Sequence, residues 1–192
     1  MNAYTRPILV DVDTQLDFMA PTGALSVPRA SALAPSLEAL VEAARKAGIP
    51  HFATVDTHTP DDPEFAAYGF PPHCVKGTPG WARIPETACP TRSFEKATFD
   101  VFTNPDFAAA VAAVKPSAAI VCGVATDYCV KAAVLGLLAM GVPVLLVADA
   151  IASVAPETGE AALAEMAAAG AVLTSTRAVV AGLRAKAVAH VA

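Results

Sequence analysis

Cys129 is the residue in this chain best placed to act as a nucleophile. It lies in Val121-Cys122-Gly123-Val124-Ala125-Thr126-Asp127-Tyr128-Cys129-Val130, where an apolar run ends at Gly123 and a helical pattern begins soon after. That reads as strand, tight turn, helix, with the thiol in the first helical turn. There it would face unpaired backbone N–H groups and the positive end of the helix macrodipole, which favour thiolate over thiol. The same N–H groups could hold a developing oxyanion. Taken alone, a cysteine here could equally be an inert core residue, so the chemistry needs a base and a cation besides. Asp13 closes an apolar run in Asp11-Val12-Asp13-Thr14-Gln15-Leu16-Asp17-Phe18. A carboxylate beside a thiol can take its proton, although acids at alternate positions are also what a solvated turn contains. Lys96 stands between Phe94 and Phe99. Most lysines are surface charges, but one held among aromatics in a long loop could be a buried cation that lowers a neighbouring thiol pKa.

A second group has ligand chemistry. Asp56-Thr57-His58 follows another apolar run, and His73 lies fifteen residues on in Phe70-Pro71-Pro72-His73-Cys74. At an extended strand end, residues two apart point to one face. One carboxylate and two imidazoles can hold a metal, and without a thiolate the set suits zinc, iron or manganese with coordinated waters. Ordinary polar loop residues are the competing reading. Glu64 could add an oxygen ligand or simply be solvated. Phe18 and Phe70 are either core aromatics or the walls of a slot for a flat ring.

These residues need a scaffold, and the hydrophobic pattern supplies one. Strands are expected over Pro7–Val12, Ile49–Val55, Ala118–Cys122, Val142–Val147 and Ala171–Thr174. Helices are expected over Arg29–Ala47 and Tyr128–Met140, and near Pro105–Val114, Glu157–Ala169 and Thr176–Ala189. Asp56 to about Asn104 is rich in Pro and Gly with little periodicity, a long loop region of the kind that is usually functional. Continuous apolar strands alternating with helices predict a three-layer α/β/α fold around a mostly parallel, doubly wound sheet. In such sheets ligands sit beyond the carboxyl ends of the strands, where Asp13, Asp56 and Gly123–Cys129 fall.

Composition narrows the function classes. At 192 residues the chain is one domain's worth, expected to span 1–192, and 55% hydrophobic residues indicate a globular core. A net charge of -5 without a basic run argues against nucleic acid as a partner. Four cysteines with no CxxC spacing look like reduced cytosolic thiols, and Met1–Pro7 is too short and polar for a signal peptide, so a cytoplasmic location is expected. Ala132–Ala148 is uncharged, but Gly141-Val142-Pro143 divides it into a helix and a strand, so no membrane span is expected. No GxGxxG follows the first strand, and Gly77-Thr78-Pro79-Gly80 lacks the lysine of a P-loop.

Taken together, the motifs resemble the isochorismatase-like cysteine hydrolases and, within them, the nicotinamidase/pyrazinamidase group. Asp13-Thr14-Gln15-Leu16-Asp17-Phe18 looks like D-x-Q-x-D-F. Asp56-Thr57-His58 with Phe70-Pro71-Pro72-His73-Cys74-Val75-Lys76-Gly77-Thr78-Pro79-Gly80 is similar to D-x-H and W-P-P-H-C-V-x-G-T-x-G. Gly123-Val124-Ala125-Thr126-Asp127-Tyr128-Cys129-Val130 is similar to G-x-A-T-D-x-C-V. The resemblance implies a triad of Asp13 as base, Lys96 as charge partner and Cys129 as nucleophile. It implies an oxyanion hole from the backbone N–H groups of Ala125 and Cys129, with a cis peptide between Val124 and Ala125. It also implies one divalent metal (Zn, Fe or Mn) on Asp56, His58 and His73, with Glu64 as a further ligand, and a substrate ring between Phe18 and Phe70. The implied reaction is hydrolysis of nicotinamide to nicotinate and ammonia, a step of NAD salvage, by a homo-oligomer. Phe70 in place of Trp leaves ring specificity open. The rivals are another amidase of the superfamily acting on a ureido, carbamoyl or maleamate-type amide, isochorismate ether hydrolysis, and a non-catalytic binding protein.

Overall fold

Among the described residues six strands carry the fold: β1 (Ile8–Val12), β2 (His51–Asp56), β3 (Arg92–Lys96), β4 (Ala119–Val124), β5 (Val144–Ala152) and β6 (Val172–Thr174). The computed structural model describes residues 5–189. Every strand pairing is parallel, in the order β3-β2-β1-β4-β5-β6. All residues of β1, β2 and β4 are buried, which is why they read as unbroken apolar runs. The chain builds outward from β1 to β3 and then returns to place β4 on the other side of β1. The switch point is therefore between β1 and β4.

The helices are α1 (Leu16–Met19), α2 (Ala34–Lys46), α3 (Pro63–Tyr68), α4 (Pro105–Val114), α5 (Lys131–Ala139), α6 (Pro156–Ala168) and α7 (Thr176–Ala189). They cover both faces. Leu37 and Leu40 of α2 and Val179 and Leu183 of α7 pack with Leu9 and Ile120 on one side. Phe107 of α4, Val134 and Leu137 of α5 and Met166 of α6 pack with Val10 and Val121 on the other. The expected α/β/α architecture with a parallel sheet is the one observed. Among the described residues, no helix is long and apolar enough to cross a membrane.

Three differences from the expected elements bear on the site. The region from Asp56 to Asn104 contains α3 and an edge strand, β3, so Lys96 sits at a strand end and not in a loop. Only Phe94 and Lys96 of β3 are buried, and a strand with a single apolar side chain leaves no apolar run to detect. The helix expected from Tyr128 starts at Lys131, after one π turn over Thr126–Val130, so Cys129 belongs to that turn. β5 runs on to Ala152 because its pairing with β4 shifts register between Val121 and Gly123, absorbing residues around Asp149 that interrupt the apolar pattern.

Candidate active site

Four strand ends meet at one rim. Asp13 follows β1 with φ of 48° and is anchored by Thr54 on the adjacent strand. The Thr54 hydroxyl donates to Asp13 Oδ1 at 2.6 Å and lies 3.2 Å from the Asp13 N–H that points to it. The parallel register sets Asp56 beside Lys96. Lys96 Nζ lies 2.8 Å from Asp13 Oδ2, 2.9 Å from Asp56 Oδ1 and 3.5 Å from Cys129 Sγ. Asp13, Lys96 and Cys129, far apart in sequence, are thus gathered as expected. The turn carrying Cys129 can come this close because position 123 is glycine. At its φ of 112°, a Cβ would stand 2.1 Å from the Val12 carbonyl oxygen. The Val124–Ala125 peptide is cis, also as expected.

The electrostatics of this cluster oppose the bias of the local turn toward thiolate. Burial pushes the Cys129 thiol well above its ordinary range; Asp13 and Asp56 push the same way, and Lys96 pulls only partly back. Two carboxylates and a dry site outweigh one ammonium and a turn of backbone N–H groups. The resting group is a thiol that needs a base, and Asp13 is the carboxylate beside it. Burial works against charge on Lys96 too, but Asp13, Cys129 and Asp56 hold its ammonium well above the usual range.

Asp56 also faces a second cluster. Its Oδ2 lies 3.1 Å from His58 Nε2 and 3.5 Å from His73 Nε2, and the ligand atoms of the three buried residues all lie within 4.8 Å of one another. His73 Nδ1 donates to the Pro71 carbonyl at 2.9 Å, which leaves Nε2 as the lone-pair nitrogen. A lone pair facing a carboxylate oxygen calls for a cation between them, so the donor set fits a divalent metal. Burial pushes Asp56 up, but Lys96 and the hydrogen bond from His58 outweigh it and hold the carboxyl well below the usual range. Burial opposes charging of His58, yet Asp56 and Asp62 raise its pKa to about 9. Glu64 stands half-buried in the first turn of α3, outside the 4.8 Å group, with its carboxyl pushed up by burial and by Asp56.

Several positioning residues carried no signal that singled them out. The Gln15 amide donates to the Asp56 carbonyl at 2.8 Å and accepts from the Asp56 N–H at 2.7 Å, clamping the backbone of the shared carboxylate. Asp17 accepts from Cys74 N–H at 2.8 Å, fixing the residue after His73 at a φ of 45°. Asp62 both caps α3 and lies 3.0 Å from His58 Nδ1. Gln15 and Asp17 lie inside D-x-Q-x-D, but only contacts across the fold assign them work.

A pocket of about 500 Å³, its open mouth included, leads to Cys129. Phe18 and Phe70 stand on it as expected, with ring centroids 5.5 and 5.9 Å from His73. Phe99 and Tyr128, in contact at 5.1 Å, complete the aromatic wall, and Leu25, Val27 and Val154 form the opposite side. Ala125 and Cys129 line the floor, and no arginine or lysine is among the lining residues.

The fold agrees with the comparisons. The Isochorismatase domain profile matches residues 7–178, and the chain belongs to the isochorismatase family of hydrolases. The pyrazinamidase of Pyrococcus horikoshii, solved in complex with zinc, is 33% identical over 88% of this chain and 99% of its own, with a TM-score of 0.81. PnC1 from L. infantum, in complex with nicotinate, is 28% identical over 91% of this chain and 94% of its own, with a TM-score of 0.81. N-carbamoylsarcosine amidase from Thermoplasma acidophilum shares the fold with a TM-score of 0.77 at 24% identity, over 90% of this chain and 97% of its own. No curated protein matches the chain significantly.

Proposed function

We propose that this protein is a metal-dependent cysteine amidohydrolase that converts nicotinamide to nicotinate and ammonia. One observation carries the reading. Lys96 touches Asp13, Asp56 and Cys129, while the other oxygen of Asp56 faces His58 and His73. A nucleophile cluster and a metal-ligand cluster therefore share one carboxylate at the floor of an aromatic pocket. A divalent ion on Asp56, His58 and His73 would supply a Lewis-acid anchor for a ring nitrogen or its bound water. Zinc is the ion in the P. horikoshii complex. Glu64, outside that ligand group, would be an outer ligand.

Phe18 and Phe70 orient the ring so that the carboxamide carbon faces Cys129. Asp13 takes the thiol proton as sulfur attacks, and Lys96 stabilises the thiolate. The N–H groups of Ala125 and Cys129 receive the oxyanion. The Asp13 carboxyl returns the proton to the leaving nitrogen, and ammonia departs from a thioester. Asp13 then deprotonates a water that attacks the thioester carbon, releasing nicotinate and restoring the thiol.

The pocket lining supports an uncharged aromatic amide over the rival carbamoyl, ureido or maleamate-type acids. Beyond the site's own metal ligands and Lys96, a substrate carboxylate would be buried against apolar walls with no arginine or lysine lining the pocket to meet it. The test is ammonia release from nicotinamide, pyrazinamide, a carbamoyl amino acid and maleamate. Turnover of the first two, lost in Cys129→Ala with the fold intact, is expected. Turnover of the acids alone would overturn the substrate class, and an active Cys129→Ala would overturn the nucleophile.

A further inference from the structure

Val154 borders two cavities at once. On one side is the catalytic pocket. On the other is a groove of about 1380 Å³, its open mouth included, walled by Arg29, Leu33, Ile151, Glu160 and Leu163. The residue is 47% exposed, so it stands as a thin partition and not as part of the packed core.

Its backbone is tied to the nucleophile turn. Val154 N–H donates to Asp127 Oδ1 at 3.1 Å, Ala155 N–H donates to Asp127 Oδ2 at 3.4 Å, and the Thr158 hydroxyl donates to the same Oδ2. Ala155, the residue before α6, has no side chain to cap that helix, so Asp127 caps it from another element. Asp127 lies two residues before Cys129 in one π turn. The position of the partition is therefore set by the same turn that sets the sulfur. On the far side, Gly159 admits Ser153 so closely that a Cβ there would meet its hydroxyl at 2.4 Å. The segment has little room to shift.

We propose that Val154 is the specificity-determining residue for substrate size. Its isopropyl group separates the aromatic pocket from the neighbouring groove and so limits which ring substituents fit. The groove beyond combines Leu33, Ile151 and Leu163 with Arg29, Asp149 and Glu160, and its apolar side chains suit ring-alkylated aromatic amides as the class admitted on removing the partition. This rests on the aromatic-amide reading of the pocket.

The test compares wild type, Val154→Ala and Val154→Leu on nicotinamide and on nicotinamides bearing propyl at ring position 4, 5 or 6. Binding of the same amides to each of them in a Cys129→Ala background is read by calorimetry. Relative to nicotinamide, kcat/KM for at least one propyl amide should rise about tenfold or more in Val154→Ala, the scale of one or two methylenes in an apolar pocket. It should fall in Val154→Leu, and binding should follow the same order. An unchanged size profile in an enzyme that turns over nicotinamide would overturn the inference alone. Failure of every aromatic amide both to react and to bind would overturn the functional reading, and the inference with it.

Discussion

Replacing Lys96 by Met removes an ammonium while keeping most of the side-chain volume. In the native protein Nζ lies 2.8 Å from Asp13 and 2.9 Å from Asp56, with 1% of the lysine side chain exposed. Without it, two buried carboxylates share one dry site. Removing one partner of a buried ion pair costs about 3–5 kcal/mol, and here a single ammonium serves two acids, which places the loss towards the upper end. The sign with pH follows from linkage. Lys96 holds Asp56 well below its ordinary pKa against the opposing pull of burial. A carboxyl depressed in this way contributes stability throughout the range above its unfolded pKa of about 3.9. In the variant one of the two acids is held protonated instead. A carboxyl whose folded pKa is raised destabilises progressively as pH climbs above the unfolded value. The deficit should therefore be small near pH 5 and grow towards pH 8. Urea unfolding at several pH values, with metal content matched, measures it. A deficit under about 1 kcal/mol, typical of a surface ion pair, would refute the reasoning. So would one that stays level across that range.

Two further outcomes follow from the same cluster. Asp13→Asn removes a charge that pushes the Cys129 thiol up, so iodoacetamide should alkylate the variant faster than wild type at pH 7. Turnover should nevertheless fall by about 10²–10⁴, the usual worth of a general base; retained turnover would remove Asp13 from that role, and slower alkylation would show that its charge is not what holds the thiol up. His58, raised to about 9, is protonated at neutral pH in the metal-free protein, and a ligating imidazole must be neutral. Zinc uptake at pH 7.5 should thus release about one proton per ion, declining above pH 9, as read by calorimetry in buffers of different ionisation enthalpy. Because this pKa is raised, its contribution to metal-free stability is complete below about 6.5 and is lost as pH rises through about 9. Uptake without proton release at pH 7.5 would place the metal elsewhere.

Much of the site was legible because its residues sit where strands end. Asp13, Asp56 and Gly123 each close an apolar run, and a parallel sheet brings such ends to one edge. Lys96 was legible only as a lysine between phenylalanines. Its strand hides because an edge strand buries one face, and here that face is Phe94 and the lysine itself. The π turn was hidden for another reason. Its side chains keep a helical look, and only the backbone shows the wider turn that carries Cys129. The thiol's protonation is not legible in the turn alone, since the charges that set it arrive from β1, β2 and β3.

By itself the sequence determined the layered parallel sheet and offered an acid, an amine, a thiol and three ligand residues as candidates. Apolar periodicity and strand-end chemistry are local properties, and local properties survive in one dimension. Only the tertiary structure decided that one carboxylate, Asp56, serves both clusters, that Gln15 clamps it, and that Val154 divides the pocket from its neighbouring groove. Those facts depend on distances between segments far apart in the chain and on which groups lose their water there, and neither quantity is written in the order of the residues.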